Sequence, residues 1–250
     1  MEKNFLNFKT EDIDKPIFRF MTVERLFEIF KTHQNVLVSP KLWEDPFENH
    51  IMSSFVNQKT EDEKEICVGF RDNFYGQCWT QTRESDAMWR IYSPSKNGAR
   101  ITTTPRKLLA SLFSDTGNQI NDFSCFLGKV EYFTTKKLCE HLDDNAIHWL
   151  IEPTGAGLTQ SLLFKRISFK HENEVRLLIN SKFKPQRAKT DIYPFYFNPL
   201  EIIDDIVFDP RIDYQEFKNY KAQLRKLRFN NKIVKSKLYD MPKFIIKTWF

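Results

Sequence analysis

From Thr22 to Lys31 the apolar residues Val23, Leu26, Phe27 and Phe30 fall at i, i+3, i+4 and i+7. That spacing lays one apolar stripe along a helix, and Thr22 ahead of it is a good N-cap residue. The same period returns from Tyr214 to Phe229, with Phe217, Tyr220, Leu224 and Leu227 on one face. ESDAMWRIY, with Ser85 as cap, PRKLLASLF, with Pro105 at the first helical position, and TTKKLCEHLDDNAIHWLI read as further helices. Shorter stretches alternate or run in β-branched and apolar residues: FRF (Phe18 to Phe20), NVLVS, YGQCWTQT, ARITT, CFLGKVEYF, NEVRLLI, DDIVFDP and NKIVKSKL read as strands. SPKLWEDPFENH, broken by Pro40 and Pro46, reads as a loop.

Strands and helices are interspersed without regular β-α-β alternation. The pattern predicts an α+β fold with a mixed, largely antiparallel sheet and flanking helices. No repeat and no Gly/Ser/Pro-rich linker divides the 250 residues, so a single domain over 1–250 is expected. No run approaches the roughly 20 apolar residues of a membrane span. The polar start MEKNFLNFKTEDIDK lacks the form of a signal peptide, so a cytoplasmic protein without a membrane partner is expected.

Charge changes this picture at one end. Ten Lys or Arg stand against two acidic residues from Tyr214 to Phe250, a net +8 in a chain of net charge +5. Lys218, Lys221, Arg225 and Arg228 form a basic stripe beside the apolar one, which suits a nucleic acid or another polyanion as partner. The alternative reading is a solvated basic face.

Several chemistries lack their motifs. There is no Walker-type phosphate loop, no G-x-G-x-x-G turn, no H-E-x-x-H and no nucleophile elbow. Cys67, Cys78, Cys125 and Cys139 form no C-x-x-C pair, and Cys139, His141 and His148 lack a fourth ligand, so no metal is expected.

HENEVRLLI, from His171 to Ile179, is the most informative stretch. Strand alternation puts Glu172, Glu174 and Arg176 on one face and Asn173, Val175, Leu177 and Ile179 on the other. A plain salt-bridged edge would look the same. Its place in the chain adds content. Arg19 lies on the first strand, Thr80 and Thr82 lie on a middle strand, and the Glu-x-Glu comes late. This ordered set resembles the Arg–Ser–Glu type of ADP-ribosyltransferases, which have a split-sheet fold and use NAD as substrate. The middle element departs from theirs, beginning Cys78-Trp79. The resemblance implies that Arg19 meets the pyrophosphate, that Thr80 and Thr82 support the nicotinamide pocket, and that Glu174 stabilises the developing positive charge. Glu172 then serves the acceptor.

FRFMTVERLFEIF, SPKLWEDPFEN, CWTQTRESDAMWRIYSPSKNGARI, FKHENEVRLLI and IVFDPRI also resemble, over Lys15 to Tyr239, the bacterial domain-of-unknown-function family 2971. The matching positions are Arg19, Asp45, Pro46, Phe47, Glu48, Trp89, Tyr92, Gly98, His171, Glu174 and Arg176. That resemblance implies a toxin-like or antiphage effector from a bacterial defence locus, with a defence-system protein partner. A cleft built from these residues suits a nucleotide, with Trp89 or Tyr92 on a flat ring and Arg19 on phosphate. Two other readings stand beside this one. One is a nucleic-acid-binding effector using the basic C-terminal helix. The other is a nuclease holding Mg²⁺ on Asp45, Glu48, Glu172 and Glu174.

Overall fold

The structure, a computed structural model, describes residues 1–43, 45, 48, 73–116, 124–152, 155–181 and 191–241. Pro46, Phe47 and Cys67 lie outside the described residues. The strands are β1 (Phe5–Leu6), β2 (Ile17–Thr22), β3 (Gln34–Val38), β4 (Phe74–Thr80), β5 (Gly98–Thr103), β6 (Cys125–Lys129), β7 (Glu131–Phe133), β8 (Phe164–Arg166), β9 (Glu174–Asn180), β10 (Ile192–Tyr196), β11 (Asp205–Phe208) and β12 (Lys232–Lys235). The helices are α1 (Val23–Thr32), α2 (Asp86–Tyr92), α3 (Pro105–Thr116), α4 (Thr135–Ile151), α5 (Ala156–Gln160), α6 (Pro199–Ile202) and α7 (Tyr214–Lys226).

Local chemistry sets these boundaries. Thr22 accepts from Arg25 N and opens α1, and Ser85 accepts from Met88 N and opens α2. Asp213 accepts from Gln215 N and Glu216 N and opens α7, satisfying donors a helix start leaves free. Four predicted apolar positions of α1, Val23, Leu26, Phe27 and Phe30, are all buried. Each such side chain contributes about 1.5–3 kcal/mol when fully removed from water. The C-terminal helix stops at Lys226 instead of running to Phe229, because Arg228 takes a left-handed φ of 66°. The Arg225 guanidinium then turns to the carbonyls of Phe229 and Asn231.

Strands β1 to β6 and β9 to β12 form one large, largely antiparallel sheet in the order β1-β6-β9-β4-β2-β5-β11-β12, with β3 pairing both β4 and β10. Its parallel contacts are β1 with β6 and β11 with β12. CFLGKVEYF is two strands, not one. Val130 N donates to Glu174 O and Glu131 N to Leu163 O, so the chain leaves β9 and pairs β7 with β8 in a separate small sheet.

One face of the large sheet is continuous core. Ile17, Met21, Trp79, Ile101, Val175, Leu177 and Ile206 pack there with α1, α3 and α7. The opposite face has two smaller apolar patches. Phe20, Met88, Trp89 and Val207 form one, and Phe74, Leu162, Leu163 and Leu178 the other. Between the patches the sheet carries charge.

At this place the sheet is split. β2 meets β4 through the single pair Phe18↔Thr80, while β3 meets β4 only at Val38↔Gly76. From Thr80 back to Gly76, therefore, β4 parts from β2 and goes over to β3. A seam opens along it.

Candidate functional site in the split sheet

The seam holds a narrow slot lined by Phe18, Arg19, Phe20, Cys78, Trp79, Thr80, Met88, Tyr92, Glu172 and Glu174. Its volume is about 40 Å³. Pockets that enclose a drug-sized ligand hold roughly 300–1,000 Å³, so the slot as it stands seats one part of a larger ligand.

Thr80↔Glu174 is a register pair, which puts Thr80, Cys78, Glu174 and Arg176 on the charged face. Glu172 reaches the slot by another route than alternation. Ile167–Glu172 is a 3-10 segment and Asn173 takes φ 44°, so β9 begins at Glu174 and Glu172 is not in strand register with it. Asn tolerates this left-handed conformation better than most residues. Thr80 Oγ1 ties the segment down by donating to Glu172 O at 2.5 Å and accepts from Thr82 N. Thr82 Oγ1 donates to His171 O. Thr82 and exposed His171 thus hold the turn and do not line the slot.

The Glu174 face does not look into water. Arg176 is 1 % exposed and Glu174 6 %. Arg176 donates to Glu174 Oε2 through Nε (3.2 Å) and Nη2 (2.7 Å), to Glu48 Oε1 (2.5 Å) and to Leu162 O (2.6 Å). Its guanidinium lies 4.3 Å from the centroid of the Trp43 ring. Lys165 Nζ is bonded to Glu172 Oε2 at 2.7 Å and lies 3.6 Å from Glu174 and 3.7 Å from Glu48. Three carboxylates thus share two cations, an arrangement that gives each charge a partner out of water.

The electrostatics follow. Burial pushes the Glu174 carboxyl up, but Arg176, Lys165 and the Cys78 thiol more than reverse this and hold it below the usual range. Burial wins at Glu48, which is raised despite Arg176 and Lys165. Burial raises the Cys78 thiol well above its ordinary value, with the Glu174 charge adding to it. The Tyr92 hydroxyl is raised first by burial and then by the charges of Glu172 and Glu174. Lys165 is raised because its carboxylates outweigh burial.

Arg19 stands on the other side of the seam. Its neighbours in alternation, Ile17 and Met21, belong to the main core, opposite Phe18 and Phe20. Its hydrogen bond, from Nη1 to Asn35 Oδ1, is long at 3.4 Å, and no carboxylate pairs with it among the described residues. Burial, with the like charge of Arg25, pushes it down to about 10. Such a cation is short of a partner.

Other expected site residues fall elsewhere. Trp89 is fully buried, packs edge-on against Phe20 and donates to Glu84, so its ring belongs to the core and offers no open face. Tyr92, 39 % exposed and stacked on Phe20, is the aromatic at the mouth. Asp45 is bonded to Arg166 at 2.7 Å, away from the slot. Asp45, Glu48, Glu172 and Glu174 each hold a cation, and no group of metal-type ligands is assembled among the described residues. His141 stacks against Phe133 instead. On α7, Lys218 lies over Tyr214, Arg225 holds carbonyls, and Arg228 is beyond the helix end. The basic stripe is therefore not a continuous row.

The sequence reading missed Lys165, Trp43, Tyr132 and the Glu48–Arg176 bond. Tyr132 accepts from Glu174 N at 2.8 Å and holds the start of β9. Lys165 carried a signal, one of two adjacent cations, with Arg166, inside the otherwise apolar run LLFKRI. The DPR of IVFDPRI is explained as scaffold. Arg211 bridges Asp209 to the carbonyls of Trp89 and Ser93 and so ties the end of α2 to β11.

Residues 88–177 match the family model DUF2971, a protein of unknown function. The match spans α2 to the middle of β9. No curated protein matches. Among solved structures, DarT of Thermus sp. 2.9 in complex with carba-NAD+ aligns over 92% of this chain and 98% of that chain, at 9% identity and a TM-score of 0.39. The same protein in complex with NAD+ gives 10% identity and 0.39 over the same shares. In complex with ADP-ribosylated ssDNA it gives 9% and 0.41, over 93% of this chain and 98% of that one. No helix among the described residues is long and apolar enough to cross a membrane.

Proposed function

We propose that the slot binds the nicotinamide-ribose end of NAD and breaks its N-glycosidic bond, transferring ADP-ribose to an acceptor or to water. The observation that carries this reading is the meeting of Arg19, Thr80, Tyr92, Glu172 and Glu174 around one seam. A half-buried guanidinium short of an anion suits the pyrophosphate. Tyr92 offers a ring at the mouth, against which a flat heterocycle can lie.

The chemistry follows from the charges. As the bond breaks, its electron pair goes to the ring nitrogen and neutralises it, and positive charge moves to the ribose. Glu174, held ionised by Arg176 and Lys165, stabilises that charge. The acceptor hydroxyl or amine then bonds to the anomeric carbon and gives up its proton, which Glu172 is placed to take. The slot seats one end of the dinucleotide, and the remainder lies along the open mouth. In the cell, this reading makes the protein an effector of a bacterial toxin or defence locus.

The test is nicotinamide release from NAD. The wild type should release it, and Glu174→Gln should lose about 100-fold or more, the scale of removing one electrostatic contact to a transition state. A folded Glu174→Gln protein as active as the wild type would overturn the assignment.

A further inference from the structure

Beside the slot, on the same face of the sheet, runs a second and larger concavity. Its volume is about 480 Å³, within the roughly 300–1,000 Å³ typical of ligand pockets. Arg83, Glu84, Arg100, Asp205, Val207, Lys232, Val234, Lys235, Ser236 and Lys237 line it. Val207 and Val234 form an apolar floor, because β11 and β12 turn alternate residues to this side.

Its cations differ from ordinary surface lysines. Arg100 is 3 % exposed. It donates to Arg83 O at 2.7 Å and to Asp205 Oδ1 at 3.2 Å, yet its buried Nε has no hydrogen-bond partner among the described residues. A buried donor left unmade costs about 1–3 kcal/mol and is rare unless something supplies an acceptor. Arg83, Lys232 and Lys237 form no ion pair among the described residues. The Lys235 amine is bonded to Ile212 O and is not counted. Asp205 is shared between Arg100 and Thr102, and Glu84 accepts from Trp89. Four cations therefore face two carboxylates.

We propose that this groove is a binding site for a ligand carrying two or more phosphates in series. Arg100 is its buried anchor, and Arg83, Lys232 and Lys237 are its exposed charges. Guanidinium groups match phosphate oxygens in geometry, and ammonium groups neutralise them as point charges. The groove also abuts the slot. The Arg100 guanidinium lies 4.7 Å from the centroid of the Phe18 ring, and Phe18 lines the slot. A ligand held there lies beside the slot without sharing its lining residues.

The phosphates can come from a free nucleoside triphosphate or from a single-stranded oligonucleotide, and two arms separate these sources. Binding of ATP and of a fluorescent single-stranded oligonucleotide is measured at low and high salt on the full chain. The same is done on Glu174→Gln, Lys232→Glu/Lys237→Glu and Lys218→Glu/Lys221→Glu. At least one ligand should bind, lose affinity as salt rises, and bind about tenfold or more weakly to Lys232→Glu/Lys237→Glu. Glu174→Gln and the α7 double variant should bind like the wild type. Because no turnover is read, loss of the NAD reading leaves this result standing. Binding of neither ligand, or equal binding by folded Lys232→Glu/Lys237→Glu, overturns the proposal.

Discussion

Both nitrogens that Arg176 gives to Glu174 land on the same oxygen, Oε2, at 3.2 and 2.7 Å. The 3.6 Å approach of Lys165 is to Oε2 as well. The carboxylate is thus gripped from one side, and Oε1 is left out of these ion pairs. Fixing a charged group without consuming both of its oxygens is what a ligand-facing carboxylate needs.

The two acids bonded to Arg176 should respond oppositely to pH. Glu174 has a folded-state pKa below its unfolded value of about 4.3, so its stabilisation is present above that value and is lost as pH falls through the depressed one. Glu48 is raised, so its contribution is fully present below about pH 4.3 and is lost as pH rises through the raised value. Near pH 7, Glu174→Gln should destabilise by about 1–3 kcal/mol, and Glu48→Gln by clearly less. Urea unfolding of both variants, repeated below about pH 4, should find the Glu174→Gln deficit shrinking. Equal deficits at both pH values would contradict the assignment.

Arg19 is kept at a cost to the fold. Replacing it with Gln removes a cation that burial disfavours and should leave stability unchanged or raise it by about 0.5–2 kcal/mol. NAD binding, measured by calorimetry, should weaken in the same variant. If Arg19→Gln unfolds more easily and binds NAD unchanged, Arg19 is scaffold.

Gly76 is required by its neighbours. A Cβ there would meet Trp43 Cζ2 at 2.7 Å and Leu178 Cδ2 at 2.8 Å. Trp43 is the ring over Arg176, so Gly76→Ala should push it off the guanidinium and cost about 1–3 kcal/mol by overpacking. Thermal unfolding together with Trp fluorescence would register both effects, and an unshifted midpoint would refute the crowding.

The sequence made the elements with strong periods readable. α1 and the core face of α7 came out residue by residue, because an apolar stripe determines which face is buried. β1, β8 and β10 were missed. The first two are only two and three residues long, and β10 carries Pro194, which weakens a strand pattern. At the site, order along the chain identified Arg19, Thr80 and Glu174 as residues of one slot. It could not supply Lys165, and the sequence offered Glu48 only as a family position and a candidate metal ligand, not as a partner of Arg176. Their roles come from contacts such as Glu48 with Arg176, 128 positions apart, that leave no period in the chain. The alternation argument for Glu172 failed at Asn173, where one left-handed residue ends the strand pattern.

The single pair Phe18↔Thr80 has a mechanical consequence. Among the described residues it is the one ladder contact that joins the half-sheet β1-β6-β9-β4 to the half-sheet β2-β5-β11-β12. Glu174 belongs to the first half, and Arg19 and the groove cations to the second. In backbone pairing the two halves thus meet at one point, although they share one core. Parting them at the slot breaks the backbone bonds of that pair, about 0.5–1.5 kcal/mol each, while the shared core on the other face and the Arg19–Asn35–Gln77 bonds still hold the halves together. The gap between acid and guanidinium is therefore the stretch of the seam that backbone pairing holds least, and a ligand spanning both halves would add the contacts the ladder lacks there.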